Sequence, residues 1–556
     1  MMINQRNPAW FHLAAIGVFL WVGARAAPQV VHPSVQVRHL MDAASGSRPI
    51  RIVKDPRDSA LYYLKQSGSI YRVTVNPGTN TSTDARVYGS EHHTVSEAAG
   101  MAIGPEGTMY VVGNTSTNNQ NSTFATIMKG VTNSAGGRVW SVLARTEPYP
   151  RSRTAFDHVF NGILASPDGQ FVYVNSGSRT DHGEVQSVNG VFPNTREVGL
   201  TAKIFRVPTG VTNLVLSNDV AALRRGYQSV PHPNPLPEGE GNELASMAQT
   251  GGFIFAEGTR NTYDLAFAPN GDLFGTENGP DRDMAEELNW LRAGRHYGFP
   301  WRIGGTDNPQ QFPNYDPSTD RLLDPRFIAV QGGYYHNDPT FPPAPANLTE
   351  PVINIGPDAD SYRDPTDGVV RDASAQGRVF STLTAHRSPL GLVFDVDGVM
   401  TNEFRHHGFV LSWTPGDPTG NSVAGPFNDA SQDLLDLQLT KLGQTNYQAR
   451  VRRIVDGFSN PIDAEIIGNR IYVIEYGGSF GIWEVKIPAP LRIAGGFGGG
   501  GFQLTVTGDV GRTVTIQGSA NLVAWQDLRT VVNTTGTVRF TDTAGLGRRF
   551  YRAVDR

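Results

Sequence analysis

Residues 258–300 hold the densest set of groups able to do chemistry. Arg260 and Asn261 put a cation beside an amide in a polar turn. Asp272, Glu277, Asp281, Asp283, Glu286 and Glu287 crowd the following stretch, which is broken by Glu277-Asn278-Gly279-Pro280. Glycine admits unusual φ and proline fixes its own, so the chain must bend there. Hard carboxylate oxygens beside carbonyls freed by a bend are what calcium prefers. The plainer alternative is a solvated acidic loop on an ordinary hairpin. A second candidate is Asp157-His158, just ahead of a strand pattern. A carboxylate next to an imidazole can orient it and raise its basicity for removing a hydroxyl proton. The alternative there is a structural histidine.

Short strands must position these groups. A turn containing Gly, followed by aromatic and β-branched residues, recurs along the chain. It occurs at residues 60–73, at 104–111 and as Ser166-Pro167-Asp168-Gly169 before Phe171-Val172-Tyr173-Val174. Ala268-Pro269-Asn270-Gly271, Asp395-Val396-Asp397-Gly398 and Gly468-Asn469 introduce the others. Six irregularly spaced occurrences predict an all-β fold, a six-bladed β-propeller over residues 40–486, rather than a two-sheet sandwich. Inserted loops are expected near residues 222–247, which lack apolar periodicity, and 304–385, which would partly roof the central cavity. Residues 487–501 read as a Gly-rich linker. Alternation beyond them predicts a small C-terminal β-sandwich over 502–556, with Trp525 in its core.

The chain has 556 residues, a formal net charge of −5, 39% hydrophobic content, 62 Gly and 37 Pro. This balance argues against a nucleic-acid partner. No cysteine is present, which excludes disulfides, thiolate metal sites and c-type haem attachment. Arg6, an apolar run over 10–23 and Ala24-Arg25-Ala26 read as a signal peptide cleaved after Ala26, hence a periplasmic or secreted protein. An uncleaved anchor is the rival, but the run is short for a span.

The ordered string Arg260-Asn261, Pro269-Asn270-Gly271, Glu277-Asn278-Gly279-Pro280, Glu286-Glu287-Leu288-Asn289, Tyr297-Gly298-Phe299-Pro300 resembles the soluble quinoprotein sugar dehydrogenases. These glucose/sorbosone dehydrogenases use pyrroloquinoline quinone (PQQ). The resemblance implies His158 as general base with Asp157 as its partner, and Arg260 and Asn261 as PQQ ligands. It implies that the carbonyls of Gly279 and Pro280 hold a calcium ion polarising the quinone, and that Glu286, Glu287 and Tyr297 serve a second, structural calcium. Residues 385–392 and 458–463 match further family segments. Thr414, Asn460 and Ile462 stand where the family offers basic residues to the cofactor, and Ser178 stands at an acidic position. Arg179, Arg387, Arg405 and Arg470 are the candidate replacements. The implied activity is oxidation of an aldose at C1 to the lactone, with an external electron acceptor. A non-catalytic carbohydrate- or protein-binding propeller and a calcium-dependent lactonase-type hydrolase are the alternatives.

Overall fold

The computed structural model describes residues 27–76, 81–188, 191–225, 252–400, 403–415, 426–427, 429–543 and 548–555. The expected signal peptide and most of the expected 222–247 loop lie outside the described residues. The described chain is almost entirely β, in short antiparallel sheets that follow one another along the sequence. The lead strands of successive sheets are β1 (Pro49–Lys54), β2 (Ala98–Ile103), β3 (Phe160–Ala165), β4 (Thr262–Phe267), β5 (Pro389–Phe394) and β6 (Pro461–Ile467). Each packs on the next, and β6 packs on β1, so the lead strands form a closed circuit. Sheets radiating from such a circuit make a β-propeller. The last sheet is completed by Gln36–Asp42, which pairs antiparallel with Gly481–Lys486 and locks the two ends of the ring together.

Local chemistry explains the hairpins. In residues 166–171, Asp168 accepts from the Ser166 hydroxyl and from Gln170 N–H, while Gly169 takes φ +72°. Gly271 does the same at φ +82°. An L side chain is costly at both positions, so glycine closes the turn. Apolar clusters fill the spaces between neighbouring sheets. One runs from Ala102 and Ile127 to Phe160, Val174 and Phe205.

A bulge recurs near the start of every lead strand, at Pro49/Arg51, Ala98/Gly100, Phe160/Ile163, Thr262/Asp264, Pro389/Leu392 and Pro461/Asp463. Arg51, Gly100, Gly162, Asp264, Gly391 and Asp463 therefore occupy matching positions around the circuit. The glycines are required by close approach: a Cβ on Gly100 would stand 2.0 Å from the Asn161 carbonyl, and one on Gly391 2.9 Å from Asp463 Cα. The three charged residues meet. Arg51 lies 3.9 Å from Asp264 and 4.0 Å from Asp463, covers the Tyr263 ring at 3.8 Å and donates to the Tyr263 carbonyl. Asp264 accepts from Leu392 N–H and Asp463 from Ile52 N–H, so the cluster ties β1, β4, β5 and β6.

Between residues 304 and 385 the chain forms short strands and single helical turns, as expected, including Ile328–Gln331 and Ile353–Pro357. Two other expectations are corrected. Arg492–Gly498, read as a flexible linker, is a strand paired with Gly501–Thr507, because Gly500 and Gly501 supply a tight turn at φ +103° and +148°. The paired strands belong to two three-stranded sheets sharing Leu504, Val506, Val514, Ile516 and Val538. Trp525 lies outside that cluster. It is half-buried, with the Arg552 guanidinium 4.3 Å from its ring and its Nε1 donating to the Leu522 carbonyl. Among the described residues, no helix is long and apolar enough to cross a membrane.

Candidate functional site

The start of β3, the residues beside β4 and its partner Leu273–Glu277, and the start of β5 meet at one end of the ring through a run of polar contacts. Asn161 donates to Asn261, Asn261 to Asn278, and Asn278 to the Pro389 carbonyl, at 2.8–2.9 Å. Asn460 donates to the Trp413 carbonyl at 3.1 Å and its own carbonyl accepts from Tyr476 N–H. Arg260, Asn261 and Asn278 thus lie buried together, with His158 near enough for the Arg260 charge to act on its ring, although 120 residues separate His158 from Asn278.

His158 is half-buried. Its Nδ1 stands 3.4 Å from Ser178 Oγ, which donates to the Thr180 carbonyl. Burial, then the Arg260 cation, pushes its pKa down to about 3 against the opposing charge of Asp181. The ring is therefore neutral at ordinary pH, and the same burial makes it a weaker base than a free imidazole, the opposite of the raised basicity expected from an Asp157 partnership. The expected Asp157 partnership is not made. Asp157 accepts from the backbone N–H groups of Ser152 and Arg153 at 2.6 Å and from Arg151 at 3.3 Å, so its charge shapes its own loop. Ser178, at the position read as a departure, is the imidazole's neighbour instead.

Because the folded pKa of His158 lies below the unfolded value near 6.5, the folded state binds fewer protons between those values. Stability is full above pH 6.5 and falls as pH drops towards 3. His158→Gln lacks this term. Between pH 7.5 and 5 the wild type is expected to lose roughly 2 °C more in melting temperature than the variant. Parallel melting curves check this, and equal losses overturn it.

Arg260 is only 4% exposed. Its Nη2 pairs with Asp181 Oδ1 at 2.8 Å, Nε donates to the Asp181 carbonyl, and Nη1 donates to the Asn278 carbonyl. Asp181 also bonds His182, whose ring stacks on Tyr335 at 3.7 Å. Nothing about Asp181 in the sequence signalled this role. It stands 79 residues from Arg260 and only the fold joins them.

The acidic stretch is not a solvated loop. Glu277, Asp283, Glu286 and Glu287 are all buried. Glu277 accepts from the Arg260 and Asn261 N–H groups and the Thr262 hydroxyl, and burial pushes it up to about 7. Asp283 binds Arg363 and His386, each at 2.9 Å. Glu287 accepts from Asn289 and Gly304 N–H. Glu286 lies under Gly279, whose N–H reaches Oε1 at 3.3 Å, while Oε2 is buried with no donor. Of the expected calcium ligands, Gly279, Pro280 and Glu286 are together, although the Pro280 carbonyl already accepts from Arg282 N–H. Tyr297 is elsewhere: its hydroxyl donates to the Trp290 carbonyl and accepts from Arg292 N–H, within an apolar cluster with Phe255 and Leu291. The side chains of Glu286, Glu287 and Tyr297 therefore do not form one centre. Among the described residues no three His, Asp or Glu side chains gather in a metal-binding group.

The insert covers this end. Asp281 accepts from Ala329 N–H, Phe327 lies 4.4 Å from the His386 ring, and Ala329 and Tyr335 pack with Phe156. None of the candidate replacement arginines is free here. Arg387 is clamped by Asp429 and Asp433, and Arg179 donates to four backbone carbonyls. Arg470 pairs with Glu484. Arg405 lies beside Gly398, at the hairpin turn remote from the site.

A planar, acidic quinone needs hydrogen-bond donors and a flat apolar wall. The buried, acceptor-less Nε1 of Trp413 fits the need for a donor, whereas Arg260 and the Asn161, Asn261 and Asn278 amides already donate to acceptors of the chain itself. The buried, donor-less Oε2 of Glu286 fits a cation.

Residues 232–328 match the model of the family described as Glucose / Sorbosone dehydrogenase, residues 232–251 of that match lying outside the described residues. Quinoprotein glucose dehydrogenase B of Acinetobacter calcoaceticus is 35% identical over 71 residues, or 13% of this chain. That match spans 14% of the length of the relative. Among solved structures, the PQQ-bound form of an aldose sugar dehydrogenase from Streptomyces coelicolor is 15% identical, over 83% of this chain and all of that one, with a TM-score of 0.43. The PQQ domain of pyranose dehydrogenase from Coprinopsis cinerea is 13% identical, over 83% and 98%, with a TM-score of 0.46.

Proposed function

We propose that this chain is an exported oxidoreductase that oxidises an aldose at C1 to the lactone, using PQQ and calcium, on a six-bladed propeller followed by a C-terminal β-sandwich. The observation that carries this reading is the meeting of a neutral His158 with Arg260, Asn261 and the Glu277–Pro280 bend at one end of the ring, in a chain whose residues 232–328 match the sugar dehydrogenase family. When bound, PQQ supplies the hydride acceptor and calcium polarises it.

The protein's own part is a proton transfer. His158 Nε2 takes the proton of the anomeric hydroxyl while Ser178 Oγ faces Nδ1 and holds the ring. The electrons of the O–H bond form the C=O bond as the C1 hydride leaves. Asn261 and Arg260 line the cofactor's place, and the Gly279 carbonyl with Glu286 would hold calcium. The insert around Phe327 and Tyr335 keeps water out. An external acceptor completes the turnover.

Purified protein mixed with PQQ, calcium and a panel of aldoses is expected to reduce a redox dye. The absence of oxidation with every aldose would sink the reading. Calcium is testable separately by stability. At about one hundred times its Kd it adds about 2.7 kcal/mol by mass action. A chelator should therefore lower the melting temperature by a few degrees and calcium restore it. No shift in either direction would remove calcium from the proposal. A second reading, a non-catalytic binding propeller, draws on the pairing of Arg260 and Arg387 with the chain's own carboxylates.

A further inference from the structure

Closing the ring brings the first sheet against the last, and with it a cation far from Arg260 in sequence. Arg48 immediately precedes β1, as Asn261 precedes β4 and Asn460 precedes β6. Its guanidinium lies 4.4 Å above the ring of Tyr476, the residue that follows Arg470–Glu475. Tyr476 N–H donates to the Asn460 carbonyl, and its ring lies 6.0 Å from that of Trp413, whose Nε1 is buried without an acceptor. Asn460, in turn, holds the Trp413 carbonyl. Arg48 is exposed, and no carboxylate among the described residues pairs with it. Arg260, Arg387 and Arg470 at or near this ring are already neutralised by Asp181, Asp433 and Glu484.

We infer that Arg48, carried on Tyr476 beside Trp413, binds a carboxylate of the planar acid that occupies this end of the ring, in place of the basic residues missing at Thr414, Asn460 and Ile462. The inference rests on the proposed use of PQQ. A guanidinium fork matches a carboxylate with two parallel N–H···O bonds. The tyrosine face fixes the plane of the fork and shields one side of it from water. Trp413 Nε1 offers a further donor at the same edge. The arrangement is rich in donors and poor in acceptors, which selects an anion over a neutral sugar.

The test is equilibrium titration of PQQ, with calcium present, into the whole protein and its Arg48→Gln variant, read by quenching of tryptophan fluorescence. Loss of a charge-assisted pair is expected to raise Kd about 10- to 100-fold. Arg48→Lys should recover part of this, and the Kd ratio should shrink at high salt. Unchanged melting of Arg48→Gln excludes a folding defect. Wild-type binding at micromolar PQQ with an equal Kd for Arg48→Gln overturns the role of Arg48 and leaves the proposed function standing. No wild-type binding overturns the proposed function, and the inference with it.

Discussion

His158→Ala is expected to abolish most turnover while leaving PQQ binding and folding intact. Removing a positioned general base costs about two to four orders of magnitude in rate. The structure narrows how that loss should look. The imidazole is already neutral, its pKa pushed down to about 3 by burial and by Arg260. The acid limb of kcat/KM in the wild type should therefore not follow a titration near 6.5. Asp157 is bonded to its own loop rather than to the ring, so Asp157→Asn should reduce turnover much less than His158→Ala and mainly through that loop. Ser178→Ala, which removes the neighbour of Nδ1, should be intermediate. Steady-state kinetics with a dye acceptor decide the order. Full turnover in His158→Ala removes the base assignment, and a larger loss in Asp157→Asn than in His158→Ala restores the Asp-His dyad.

The second large effect concerns stability. Arg51→Ala is expected to destabilise the protein by about 3–5 kcal/mol, because it strands two buried carboxylates that share one cation. Burial raises the pKa of both Asp264 and Asp463, and for Asp463 the nearby charge of Asp264 adds to the rise. Their folded pKa values lie above the unfolded ones. Stability is thus greatest at low pH and falls as pH rises from about 4 through the folded values. Arg51 opposes that fall, so the variant's deficit should grow between pH 5 and 8. Replacing both carboxylates as well, by Asp264→Asn and Asp463→Asn, should recover part of the loss, since no charge then stays unpaired. Thermal melts across pH provide the check. A deficit under about 1 °C at pH 8 would mean that the cluster does not hold the ring.

Much of the architecture was legible locally. The Ser166–Gly169 and Ala268–Gly271 turns, each followed by a strand, specify hairpins because φ > 0 at Gly169 and Gly271 is a short-range demand. The strands β4 and Leu273–Glu277 on either side of the second turn follow from the same short-range demand, whereas their near-complete burial comes from the neighbouring sheets. That the Arg260-Asn261 and Glu277–Pro280 segments meet was legible because they lie close in sequence on paired strands. The Gly-rich 498–501 stretch misled, since composition alone does not separate a linker from a hairpin turn.

What the sequence by itself determined was the β character, the turns and the segments able to carry chemistry. What only the tertiary structure decided was which charges meet. Asp181 neutralises Arg260 from 79 residues away, Asp433 and Asp429 take Arg387, and Tyr297 turns into an apolar cluster away from Glu286. Arg48 reaches Tyr476 because β1, at the start of the ring, packs on β6 and Arg470–Glu475 at its end. The physical reason is range. Turn and strand preferences act over a few residues, whereas the state of a buried charge depends on partners that ring closure brings from anywhere in the chain.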